Sequence, residues 1–208
     1  TSVETYITDG GNELFTELKD KGETIFWIRE KNPFYPDITN AKATVYYLSP
    51  YAKSFFTKQT GIRSVDYGSI FLFINGFRVP PYGELGNDWL GLDQRKAQGY
   101  SRNIGLRELV GQIEILDEGN EFQIVSSREG IVKNESYKSL TQSEKNNSFF
   151  FKAFRRLERY VVEGLNWDSA PEHEDLLKIH KKIVSGETTE EDLEYSEALI
   201  TKRKRVYS

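Results

Sequence analysis

The sequence predicts an α+β fold, and three observations carry that expectation. Runs of β-branched and aromatic residues at 24–29, 43–48 and 69–79 read as strands. Ser49-Pro50 and Gly61 bracket a helix: serine caps its start, proline suits its first turn, and glycine ends it. Beyond Ser143, Phe150, Phe154, Leu157, Val161 and Leu165 recur at three- and four-residue spacing, which is one apolar stripe of an amphipathic helix.

Taken in order, Gly10-Gly11 breaks the first segment, and residues 12–21 read as a short helix with Leu14, Phe15 and Leu18 on one side. Residues 32–37 form a loop, because Pro33 and Pro36 cannot both sit in a ladder. The run 69–79 is nearly continuous in apolar residues, as in a strand buried in a sheet. Its Asn75-Gly76 is either a hairpin turn or a bulge. Residues 80–99 read as a polar loop with several glycines, long enough to suggest a functional or mobile segment. Residues 109–116 are a strand, 117–120 a turn, and 121–125 a returning strand that pairs with it. After a break at 166–171, residues 172–184 predict a helix, and Thr188 with Glu191 makes the capping box of another. The expected organisation is an α+β domain over residues 1–165 and a helical extension over 166–208.

Composition narrows the chemistry. The 208 residues contain no cysteine, so disulfides, thiolate zinc sites and cysteine nucleophiles are excluded. They contain no methionine either, which fits an excised or processed segment. Thirteen Phe, twelve Tyr and three Trp supply a packed core although only 38% of residues are hydrophobic. The net charge of −4 counts against broad nucleic-acid binding, which favours a basic face. No apolar run reaches transmembrane length and no signal peptide opens the chain, so no membrane partner and a cytoplasmic location are expected.

Few residues suggest chemistry by themselves. His173 and His180 are two ligands without a third, so no metal site is expected. Glu84, Asp88 and Asp93 match no dedicated cation loop. No phosphate loop and no dinucleotide fingerprint are present. Lys202-Arg203-Lys204-Arg205 reads either as a contact for nucleic acid or an acidic partner or as favourable charge near a helix end. Arg95 and Lys96 stand in the long loop, where they either reach a ligand or a neighbouring domain or are simply solvated. The most informative stretch is Ser126-Ser127-Arg128-Glu129-Gly130-Ile131-Val132-Lys133-Asn134, directly after a strand-like run. Arg128 there is either a phosphate-sensing guanidinium, whose fork of donors matches phosphate oxygens, or one half of a salt bridge with Glu129 or Glu135.

Ser127-Arg128-Glu129, followed by Ile131 and Asn134, resembles the strand-to-helix junction in the middle domain of the ninety-kilodalton heat-shock chaperones. The wider group is the GHKL (histidine kinase-like) ATPases, with gyrase B and MutL-type proteins. Asn75-Gly76-Phe77-Arg78-Val79 and residues 89–99 are similar to segments of bacterial GHKL-containing proteins of unassigned role. The resemblance covers about residues 40–165. It implies a transducer domain of the ribosomal-protein-type βαβ fold that follows an ATP-binding domain. It implies that Arg128 reaches the ATP γ-phosphate held by that domain, with Ser127 and Asn134 on the binding side. Lys96 or Arg95 would answer to the transducer lysine of the gyrase and mismatch-repair relatives. ATP and magnesium belong to the full-length protein and neither is expected in this chain alone, which lacks the nucleotide-binding motifs. The partner implied is the preceding ATP-binding domain, with a protein client or DNA beyond it. Gly130 departs from the pattern, which has a bulky apolar residue there, and in a helix interior it costs about 1 kcal/mol relative to alanine. The helix after Arg128 is therefore expected to start late. The rival reading is a binding module without nucleotide chemistry that grips protein or nucleic acid through its helical tail.

Overall fold

The computed structural model describes residues 1–63, 66–67, 70–99, 103–125, 130–142 and 148–164. The chain divides into two compact units, Thr1–Arg159 and Tyr160–Ser208. Of the second, only a π-helical turn at Tyr160–Gly164 is described. The helices expected at 172–184 and after Thr188, both histidines and the basic C-terminus lie outside the described residues.

The first unit is an α+β fold built on one seven-stranded mixed sheet. Its strands are β1 (Ser2–Thr8), β2 (Glu13–Asp20), β3 (Glu23–Lys31), β4 (Ala41–Tyr47), β5 (Ile70–Ile74), β6 (Phe77–Arg78) and β7 (Leu109–Ile115). They lie in the order β3-β2-β1-β4-β7-β5-β6. Every neighbouring pair is antiparallel except β5 and β7, which run parallel. Parallel neighbours need a long crossover. Here it contains β6 and a short helix, α2 (Leu92–Gln98). The other helices are α1 (Pro50–Thr60), α3 (Glu135–Thr141) and α4 (Phe149–Arg159).

One sheet face is covered. Val3, Leu14, Leu18, Ala43, Val45, Leu72 and Ile113 alternate onto it, each at most 2% exposed. α4 packs across β1, β2 and β4 and also against α3. It brings Phe149, Phe150, Phe151 and Phe154 with no exposed surface. Each buried aromatic of this size contributes about 1.5–3 kcal/mol. Beneath them Thr5 and Thr16 share a buried 3.0 Å hydroxyl hydrogen bond, which removes the penalty of two polar groups in the core. On the other face Tyr6, Phe15 and Trp27 form a cross-strand row with centroids 5.0 and 6.0 Å apart, and Tyr67 packs against both Phe71 of β5 and Phe56 of α1.

Several expectations are corrected. Residues 13–20 form β2, not a helix, because Leu14, Thr16 and Leu18 are all buried on one face at a period of two. Residues 2–8 form β1, for which the sequence reading gave no element. The run 69–79 splits into β5 and β6 about a hairpin turn: Asn75 and Gly76 both have positive φ, 51° and 82°. The long loop is partly helical. Asp88 accepts backbone N–H bonds from Leu92, Asp93 and Gln94 and thereby starts α2. Residues 121–125 do not pair with β7, because β4 and β5 already occupy both edges of that strand. α1 runs from Pro50 to Thr60, with Ser49 accepting from Ala52 N–H and Gly61 left-handed at φ 73°.

Candidate functional site

The segment around Arg128 is built from the end of β7 outward. Asn75, in the β5–β6 turn, accepts from the Asp117 amide at 2.8 Å and donates to the Asp117 carbonyl at 3.2 Å. Asp117 in turn accepts from the Glu121 and Phe122 amides at 3.0 and 2.8 Å, which folds the chain sharply after the strand. Phe122 is then buried, 4% exposed. Beyond it two short legs face each other. Ile124 and Ile131 form an antiparallel bridge. The Val125 amide donates to the Gly130 carbonyl at 3.1 Å, and the Val132 amide donates to the Gln123 carbonyl at 2.8 Å. Ser126, Ser127, Arg128 and Glu129 connect these legs and lie outside the described residues.

The second leg is pinned from beneath by Tyr82. Its hydroxyl accepts the Ile131 amide at 3.1 Å. Tyr82 is 6% exposed, and its ring centroid lies 4.7 Å from that of Trp89 and 6.4 Å from that of Tyr137. Trp89 donates its indole N–H to the Ile70 carbonyl of β5 at 3.0 Å. Gly83 keeps this loop on the sheet: a Cβ there would sit 2.5 Å from the Phe71 ring and 2.9 Å from the Ile70 carbonyl oxygen. Burial and the neighbouring Tyr82 raise the Tyr137 phenol far above its ordinary value, so it is neutral at physiological pH. Nothing in the sequence marks Tyr82 as an anchor, since its partner is 49 residues away.

Gly130 has φ 109°, and a Cβ there would stand 3.0 Å from the Tyr82 hydroxyl. The glycine is thus a backbone requirement of the frame and not a weak point in a helix. The helix does start later. Asn134 caps α3, accepting from the Tyr137 amide at 2.9 Å, while its side-chain N–H donates to the Glu121 carbonyl. Both ends of the Asn134 amide therefore hold the frame.

Arg95 and Lys96, the other two cations singled out by sequence, sit on α2 and pair with carboxylates of this chain. Arg95 Nη2 lies 3.0 Å from Glu158 Oε2, and its guanidinium stands 5.3 Å from the Phe151 ring centroid and 5.7 Å from that of Phe154. Glu158, 2% exposed, also pairs with Arg155 and accepts the Ile104 amide at 2.9 Å. Lys96 Nζ lies 2.7 Å from Glu108, and Asp93 accepts the Leu106 amide at 2.9 Å. Together these bonds clamp α2 between α4 and the start of β7.

A cleft of about 520 Å³ opens where β1 and β7 end, lined in part by Gly11, Asp37, Asn40, Asp117, Glu118 and Glu121. Among the described residues no group of His, Asp and Glu is placed to hold a metal ion, and no helix is long and apolar enough to cross a membrane. A scan against protein-family models, a search of curated proteins and a search of solved structures each return no match.

Proposed function

We propose that this chain is the transducer domain of a GHKL-type, heat-shock-protein-90-like ATPase, working in the cytoplasm. In this reading ATP and magnesium bind in a preceding domain of the same polypeptide. Arg128 enters that pocket and meets the γ-phosphate, and Lys96 and Arg95 keep α2 in place. One observation carries the assignment. The legs on either side of Ser126–Glu129 are fixed to each other and to Tyr82, whereas Arg95 and Lys96 already face carboxylates of their own fold. Arg128 follows the first of these legs in sequence, and the fork of donors on a guanidinium matches phosphate oxygens. The parallel β5–β7 pair with α2 in its connection agrees with the βαβ core that the resemblance implies.

Contact with the γ-phosphate also gives the domain a reason to move. ATP and ADP differ by that group, so only ATP favours the closed arrangement, and the closure is passed on to a protein client or DNA. Arg128→Ala in the full-length protein should lower ATP turnover on the order of a thousandfold with ATP affinity nearly unchanged. Unchanged turnover would end this reading.

A second reading, a binding module without nucleotide chemistry, draws on α1. None of its residues is buried, and Tyr51 and Phe55, one turn apart, are 81% and 54% exposed. Partner binding abolished by Tyr51→Ser with Phe55→Ser and indifferent to Arg128→Ala would favour it.

A further inference from the structure

We infer that β3 is a self-pairing edge, through which two copies of this chain join their sheets antiparallel about a two-fold axis at Ile28. The two edges of the sheet are finished differently. β6 is two residues long and Pro80-Pro81 follow it closely, both common ways of blunting an edge. β3 is nine residues long, contains no proline, and among the described residues pairs only with β2. Trp27 is 63% exposed and Ile25 44%. The helix layer is set back, because α4 packs over β1, β2 and β4. The charges nearest the middle of β3 are engaged by their own fold. Arg29 donates to Glu13 of β2 at 2.6 Å, and Glu30 is held by Lys152 and Arg156 of α4. A long strand edge beside exposed apolar residues is a template for a further strand.

The sequence of β3 fits a second copy of itself in one register. Its pairing with β2 shifts at Ile25, since Leu18 faces Phe26 and Lys19 faces Thr24. This bulge leaves Phe26–Lys31 as the straight part of the strand. There Trp27 and Arg29 share the face opposite α4, while Glu30 meets α4. Antiparallel partners lie on the same face, so a two-fold axis must pass through a residue. An axis at Phe26 or Trp27 runs the new ladder into the bulge within two residues. An axis at Arg29, Glu30 or Lys31 sets like charges directly opposite each other, which is destabilising. An axis at Ile28 does neither. Ile28 then meets its own copy, and Phe26 meets Glu30, whose charge Lys152 and Arg156 already balance. Trp27 meets Arg29 of the second copy, and symmetry makes that contact twice. Indole and guanidinium attract each other. The contact is isologous and closes at two copies. It is also short, so the dissociation constant should be on the order of 10–100 μM.

The test is the association of this 208-residue chain, followed by sedimentation equilibrium from about 5 to about 500 μM. A monomer–dimer equilibrium is expected. Trp27→Lys sets a cation opposite Arg29 at both contacts and should raise Kd at least tenfold. Adding Arg29→Glu makes both contacts opposite-charge pairs and should return Kd to within about threefold of the parent. With an axis at Trp27 the second change would restore nothing. Because the chain has no cysteine, single cysteines report the register independently. Under mild oxidation Ile28→Cys should link two copies at least tenfold faster than Trp27→Cys or Arg29→Cys, since only residue 28 faces itself. A monomer at every concentration overturns the proposal, as does a dimer indifferent to Trp27→Lys or faster linking at 27 or 29. Slow hydrogen exchange of the outward β3 amides in a monomer would assign the edge to another segment of the chain and overturn it equally.

Discussion

The α2–α4 junction and the frame around residues 121–134 are both tied to the same sheet, yet they are built in opposite ways. The junction is held by charge. Arg95, Arg155 and Glu158 meet in or near the core, flanked by the Lys96–Glu108 pair, and the arginine is stacked on two phenylalanines. The frame is held by backbone hydrogen bonds, two side-chain amides, the Asp117 carboxylate on two backbone amides and one tyrosine hydroxyl. A buried ion pair contributes little net stability but is costly to break, so it suits a permanent joint. The cations of the junction are therefore spent on their own fold. On the proposed reading, the arginine meant for an outside phosphate is instead Arg128, which follows the first leg of the frame in sequence.

Changes in the junction should act on stability first. Phe154→Ala removes a fully buried ring beneath Arg95 and should cost about 3–5 kcal/mol, read as a shift in the urea midpoint. Arg95→Ala leaves Glu158 buried with only the partly exposed Arg155 as a cation, and should cost about 3 kcal/mol. ATP turnover per folded molecule should fall far less in Arg95→Ala than in Arg128→Ala. Equal losses would mean that the two cations do not differ in kind.

Gly130→Ala addresses the frame. A positive φ and the nearby Tyr82 oxygen should cost about 1–2 kcal/mol by chemical denaturation. Its effect on turnover should exceed that of the more destabilising Arg95→Ala. A Gly130→Ala protein with full turnover would show that the geometry of the leg does not matter.

The smallest effect expected is electrostatic, at the opposite edge of the sheet. Glu30 on β3 meets Arg156 at 2.8 Å and Lys152 at 3.0 Å, both from α4. Partial burial raises its pKa, but the hydrogen bonds and charges of Arg156 and Lys152 together outweigh it and hold the carboxyl below the usual range. A carboxylate depressed in the folded state stabilises the fold above its ordinary pKa, and that contribution is lost as pH falls through the folded value. Glu30→Gln should therefore lower stability at pH 7 by less than about 1 kcal/mol and match the parent in acid. A difference that persists in acid would point to packing instead of charge.

The sequence was most readable where a local rule decides the outcome. Ser49, Pro50 and Gly61 mark α1 because capping chemistry acts within a few residues. β2 was misread because a four-residue spacing of Leu14 and Leu18 suits both a helix and a strand, and only the pairing with β1 and β3 decides. β1 went unseen because polar residues alternate through it. The fate of residues 121–125 depends on β5 having taken the free edge of β7, a fact about the sheet and not about those residues. At the site, Gly130 reads from sequence only as a residue that delays a helix, and its left-handed φ of 109° beside the Tyr82 hydroxyl is a fact of the fold. Asn134 was read as a binding residue, and its amide is engaged in capping α3 and tying the frame to Glu121. Arg95 looked like a loop cation because Glu158 is 63 residues away.

The claim that matters most is that this frame feels the third phosphate of a nucleotide bound elsewhere in the polypeptide. Hydrogen exchange at the Gln123, Val125, Ile131 and Val132 amides of the full-length protein measures it directly, with a non-hydrolysable ATP analogue compared against ADP. Slower exchange with the analogue alone, abolished by Arg128→Ala, is the predicted result. The same exchange with both nucleotides would contradict it.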